Sequence, residues 1–262
     1  MLPRVKIRNE TVPEGAEKIL KKFLASVGIG AARIDLMLPQ ETYRAGEEVS
    51  GTLRIESGKV DQEVNSVYLQ LLVKSRYGSG DDVKHVSKIL DTAQISGALS
   101  IRAGDPAQEI PVRYGLPVNV PLSARHTKLF LLTGLDVSKA VDPGDADPIV
   151  IRPDWRREAV FRALEEELGF CPSHDSGEYN GRFQEFEFKP MRFMRGKLDE
   201  LEVVFDVQND GVRLYLEIDR KGRFLELFDL DETEVSCFVP DRMLRSVPET
   251  ARFLADFIAS RY

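Results

Sequence analysis

Between residues 31 and 136 apolar and polar side chains alternate in run after run. A period of two puts one row of every run on a buried face, the signature of half-buried strands and not of helices. Ile34, Leu36 and Leu38 alternate with Arg33, Asp35 and Met37, and Val49, Gly51, Leu53 and Ile55 alternate with polar neighbours. Val67, Leu69, Leu71 and Val73 line one face of a long run whose other face is Tyr68, Gln70, Leu72 and Lys74. Weaker runs near 83–90 and 98–102 and stronger ones at 108–114 and 128–135 complete the series. Breaks rich in Gly, Pro or Asp at 78–82, 103–106, 115–123 and 142–148 separate them. Seven or so strands with frequent turns predict an antiparallel β-sandwich over 31–139.

The flanks read differently. Residues 1–15 have no periodicity and read as a tail, while Ile19, Leu20, Phe23, Leu24 and Val27 recur at helical spacing beside Lys18, Lys21 and Lys22. Together they make 1–30 a tail with an amphipathic helix that Gly28 and Gly30 stop. The segment AVDPGDADPIVIRP (140–153), with its prolines and aspartates, reads as a linker. After it Asp154 caps a helix in which Trp155, Ala159, Val160, Ala163, Leu164 and Leu168 share one stripe, ended by Gly169. Strands are expected again around Phe186 and Phe188, at 201–207 and 212–218 across an Asn209-Asp210-Gly211 turn, and near 224–228 and 235–238. Ser246 to Glu249 has capping-box spacing ahead of a terminal helix that buries Ala251, Leu254, Phe257 and Ile258. The expected fold class is mainly β: a sandwich, then a β-rich α+β domain with two helices over 154–262.

Charge narrows the partners. The chain carries −7 overall, with about +3 in residues 1–30, −2 in 31–152 and −8 in 153–262. An acidic chain is a poor match for phosphate backbones, so no nucleic-acid partner is expected. The longest apolar stretch, FLASVGIGAA (23–32), is about half of what a bilayer span requires. Two cysteines exclude a disulfide scaffold and suit a reducing compartment, so a cytoplasmic location is expected.

Little in the chain points to chemistry. Cys171 and His174 have C-x-x-H spacing, but Cys237 is the one other cysteine and no histidine follows His174, so a closed zinc site lacks ligands. The pair remains the basis of a rival reading, a thiol-dependent or hydrolytic enzyme. Asp142, Asp145 and Asp147 lack the spacing of a calcium loop and read as turn aspartates. The carboxylates of the 201–218 hairpin alternate with apolar residues, which assigns them to a solvated face. No nucleotide or nucleophile-elbow fingerprint is present. No catalytic residue, metal, cofactor or small-molecule substrate is therefore expected. The remaining candidate surface is Lys18, Ile19, Leu20, Lys22, Phe23, Leu24 and Val27, a basic amphipathic helix whose apolar row docks on the chain's own sandwich or else engages a protein partner, a second copy or an anionic membrane surface.

Four stretches carry a family resemblance. YRAGEEVSGTLRI (43–55) resembles the early strand–turn–strand of arrestin-type sandwiches. ASVGIGAARID (25–35), TGLDV (133–137) with AVDP (140–143), and LDELEV (198–203) are similar to the bacterial stage-zero sporulation-control family, letter M. The resemblance covers about residues 17 to 235. It implies an arrestin-like sandwich, a second β-rich domain, no catalytic activity, and a cytoplasmic regulatory role exercised through protein–protein contacts.

Overall fold

The computed structural model describes residues 30–78, 80–137, 144–218 and 236–262. Here the alternating runs become two sheets. β1 (Arg33–Met37), β3 (Glu48–Glu56) and β7 (Gln108–Gly115) pair antiparallel in that order. The second sheet runs β2 (Thr42–Arg44), β9 (Gly144–Arg152), β8 (Thr127–Val137), β4 (Gln62–Tyr77) and β5 (Lys84–Ser96), with β6 (Leu99–Ile101) paired to β4. Val49, Leu53 and Ile55 from one sheet and Val67, Leu69, Leu71, Val73, Leu131 and Leu135 from the other share one core. Each such side chain contributes roughly 1.5–3 kcal/mol by leaving water. On the outer side of the larger sheet Tyr68 lies across Gly134, where a Cβ would come within 2.3 Å of its ring.

The expected linker is largely a strand. Gly144–Arg152 pairs antiparallel with β8 and, at its end, parallel with β2, the one departure from antiparallel pairing in the described sandwich. Ile149 and Ile151 alternate into the core, and their hydrophobic burial outweighs the turn preference of the prolines and aspartates before them. Residues 140–143 of that expected linker lie outside the described residues, as does the strand expected near 224–228.

The second half is a sheet ordered β10 (Phe170–Pro172), β12 (Gln184–Pro190), β13 (Leu201–Gln208), β14 (Gly211–Glu217) and β15 (Ser236–Pro240), with β11 (Glu178–Tyr179) paired to β12. Three helices accompany it where two are expected: α1 (Trp155–Arg162), α2 (Asp241–Leu244) and α3 (Val247–Arg261). α1 continues through a π-helical stretch, Ala163–Leu168, and ends at Gly169 in the left-handed conformation. Asp154 accepts from the Arg156 amide and Ser246 from the Glu249 amide, so both caps form. Val160, Leu164, Phe188, Leu201, Val203, Leu214, Leu216, Leu254 and Ile258 fill a second core. Trp155 departs from the expected stripe: it is 42% exposed, and Arg157 is buried in its place.

The Asn209-Asp210 turn joins β13 to β14 with Gln208 opposite Gly211. Gly211 has no positive φ, so the turn does not use it for left-handed backbone. It is needed for space: a Cβ there would sit 2.4 Å from the Val239 carbonyl oxygen on β15. Gly211→Ala should therefore cost roughly 1–3 kcal/mol in urea unfolding, because backbone and not a flexible side chain must give way.

Candidate functional site

The candidate surface residues Lys18, Ile19, Leu20, Lys22, Phe23, Leu24 and Val27 all lie outside the described residues. The polar constellations that the fold builds are elsewhere, at the junction of its two halves and on the second sheet.

At the junction α1 meets the 116–123 segment of the sandwich. The Arg157 guanidinium donates from Nε to Asp154 Oδ1 (2.6 Å), from Nη1 to the Val120 carbonyl (3.1 Å) and from Nη2 to the Val118 carbonyl (2.6 Å). It is 4% exposed, and burial pulls its pKa down against the opposing pull of Asp154. Beside it the buried Gln184 amide accepts from the Leu122 amide and donates to the Leu122 and Gly177 carbonyls. Asn119 exchanges both its amide groups with the Val207 backbone. Phe161 touches both cores, with its ring 5.0 Å from Phe186 and 5.0 Å from Phe205. A cleft of about 360 Å³ opens alongside, lined by Leu90, Arg182, Phe186, Phe205 and Asp206 among others. It reaches ligand-pocket size. Its buried polar groups, Arg157 and Gln184, are already committed to backbone partners, so the junction works as a seam.

Cys171 and His174 do not assemble as a nucleophile and base. The exposed Cys171 thiol on β10 donates to the Pro172 carbonyl, while His174 Nδ1 contacts Asp175 Oδ1 at 2.9 Å. The imidazole that joins His174 there comes from the other half. His126 Nε2 lies 2.9 Å from the same Asp175 oxygen, and the two rings are 6.2 Å apart, edge to face. Arg76 flanks His126, its Nε donating to Nδ1 at 2.9 Å. Burial lowers the His126 pKa and favours neutral imidazole; hydrogen bonds from His174 and His126 lower that of Asp175. No local pattern signals this trio, because His126 and His174 lie 48 positions apart.

The second constellation is a ladder of carboxylates. Glu187, Glu202 and Glu217 stand in register across β12, β13 and β14. The expected solvated face is half buried in fact. Burial first, then the neighbouring glutamates, push Glu185 up to about 7 and Glu202 up to about 8. The reason is cumulative: each carboxylate on adjacent strands takes water from the next and repels it. The hairpin and the strand around Phe186 and Phe188 are expected from their alternation, but the register that sets Glu202 opposite both Glu187 and Glu217 is fixed by the folded sheet. Lys189 is raised to about 12, as burial is outweighed by its bonds to Glu187 and Glu200. Asp145 and Asp147, read as turn residues, lie on β9: Asp145 accepts from the Leu36 amide, and burial next to Asp145 and Asp35 raises Asp147 to about 7. Asp142 lies outside the described residues.

Comparison with known proteins agrees with this architecture. The family model described as Spo0M, SpoOM protein, matches residues 20–222. The sporulation-control protein Spo0M of Bacillus subtilis strain 168 is 32% identical over 213 residues, which cover 78% of this chain and 82% of that protein. The crystal structure of Spo0M from Bacillus subtilis superposes with a TM-score of 0.77 at 26% identity, covering 89% of this chain and all of that one. A model match across most of the sequence, a relative similar along most of its length and a shared fold lead to one conclusion: this chain belongs to the Spo0M family of sporulation-control proteins.

Proposed function

We propose that this chain is a non-catalytic cytoplasmic regulator that acts by offering sheet surfaces of its arrestin-like sandwich to other proteins. The regulatory role rests on family membership, since the Bacillus subtilis relative is named a sporulation-control protein. The observation that carries the contact mechanism is β5. This thirteen-residue strand ends the larger sheet, and no described strand pairs with its outer edge. Such an edge offers backbone donors and acceptors to an incoming strand. Lys84, Lys88 and Asp91 stand exposed along it, and register shifts interrupt its pairing with β4. Both features discourage indiscriminate pairing and make the choice of partner depend on charge. No described helix is long and apolar enough to cross a membrane.

The test is a photo-crosslinking residue at Gln94 on β5, compared in the native cells with the same residue at Asp256 on the exposed side of α3. A discrete adduct to another protein or a second copy from Gln94 alone is expected. Equal adducts from both positions, or none from Gln94, would remove β5 as the contact.

A further inference from the structure

We infer that His126, His174 and Asp175 form a binding site for a divalent first-row transition metal, bridging the two halves of the protein. Their ligand atoms, one from each residue, all lie within 4.8 Å of one another. Two imidazoles and one carboxylate suit zinc, nickel or cobalt far better than the oxygen-seeking calcium or magnesium. Three protein ligands also leave positions open, in keeping with the exposure of the cluster: the His126 side chain is 6% exposed, but His174 and Asp175 are 62% and 56% exposed.

The ligands sit on segments fixed from behind, as a site requires. The His126 carbonyl accepts from the Arg76 amide, and next to it the Thr127 hydroxyl donates to the Gly177 carbonyl while sharing a bond with Ser75. The turn carrying His174 and Asp175 is tied to β12 through Ser173 N to the Glu187 carbonyl (2.9 Å) and Gly177 N to the Glu185 carbonyl (2.7 Å). One ligand therefore comes from the sandwich and two from the second sheet, so a bound ion would clamp one to the other.

Arg76 is the competitor. Its Nε donates to His126 Nδ1, which leaves the ring proton on Nε2, and its Nη2 lies 2.9 Å from that nitrogen. Coordination through Nε2 moves that proton to Nδ1, where it would face the Arg76 donor. Metal and guanidinium are thus mutually exclusive partners of this imidazole, and Arg76, on the exposed end of β4, must swing away when the ion enters.

The experiment is calorimetric titration of the full, untagged chain with zinc chloride, alongside His174→Ala, Asp175→Asn and Arg76→Gln. One equivalent is expected to bind. The first two substitutions should weaken it by at least 10–100-fold, the loss already seen for an outer-shell partner. Arg76→Gln should tighten it about tenfold by removing both the like charge and the competing donor. Zinc should raise the melting temperature of the unsubstituted chain and not that of His174→Ala. Both ligand substitutions fall on exposed side chains, so folding is preserved and each readout stands. No heat up to millimolar zinc, or equal affinity in His174→Ala, overturns the site; unchanged or weaker binding in Arg76→Gln overturns the competition and its tautomer argument.

Discussion

Arg157→Ala is expected to destabilise the folded protein by about 3–5 kcal/mol, the range for removing one partner of a buried ion pair. The side chains of Asp154 and Arg157 are 7% and 5% exposed. Truncation strands the Asp154 carboxylate, which also caps α1 through the Arg156 amide, and strips a donor from each of the Val118 and Val120 carbonyls. Desolvated groups left without partners carry most of the cost. Arg157→Met, which keeps much of the volume, should recover little of it, because the loss is polar. Pairing it with Asp154→Asn should cost less than the sum of the single changes, since the second removes the charge that the first exposes. Urea unfolding of the unsubstituted protein, the three single variants and the double variant measures this. A loss under about 1 kcal/mol for Arg157→Ala would mean that water replaces the guanidinium and that the seam is not held by it.

A second large effect concerns pH. Stability should fall as pH rises from about 4.5 to about 8, opposite to the usual behaviour of paired carboxylates. Glu185 and Glu202, with folded values of about 7 and about 8, bind protons in the folded state that the unfolded chain has already released. Their contribution is full below the unfolded carboxylate range and is lost as pH climbs through the folded values. Asp147, raised to about 7, adds to the same slope. The aspartates with lowered values, Asp61, Asp175 and Asp241, act oppositely, but their window lies below about pH 4. His126, lowered by burial, opposes the trend with a single group. Allowing for solvent screening of half-buried groups, the net loss from pH 5 to pH 8 is on the order of 2 kcal/mol. Glu202→Gln should flatten the profile and stabilise the protein at pH 8 by about 1 kcal/mol. It removes a charge that faces Glu187 and Glu217 across the strands and Glu185 and Glu200 nearby. A flat profile in the unsubstituted protein, or one that Glu202→Gln leaves unchanged, would show that the ladder is solvated.

Much of the fold is legible because strands and helices report their own facing. Val67, Leu69, Leu71 and Val73 had to share a face whatever lay above them, and they are all fully buried. Ser246 and Asp154 had to cap whatever followed them, since the orphan amides of a first turn need an acceptor within a few residues. Local pattern fails where burial is decided by a distant segment. The prolines and aspartates of 140–153 favour a linker, yet Gly144–Arg152 is held as a strand by β8 and β2. Trp155 belongs to the apolar stripe by spacing, yet it is exposed, while Arg157 is buried against the carbonyls of Val118 and Val120.

Sequence alone therefore determined the periodicities, caps and tight turn of this protein, because those depend on neighbours within about ten residues. Tertiary structure alone decided which polar groups meet. Leu36 reaches Asp145 across 109 positions, His126 reaches Asp175 across 49, and Glu185 joins the ladder through a third strand. Such encounters change charge, protonation and ligand geometry through distance and lost water, and one-dimensional spacing holds no measure of either.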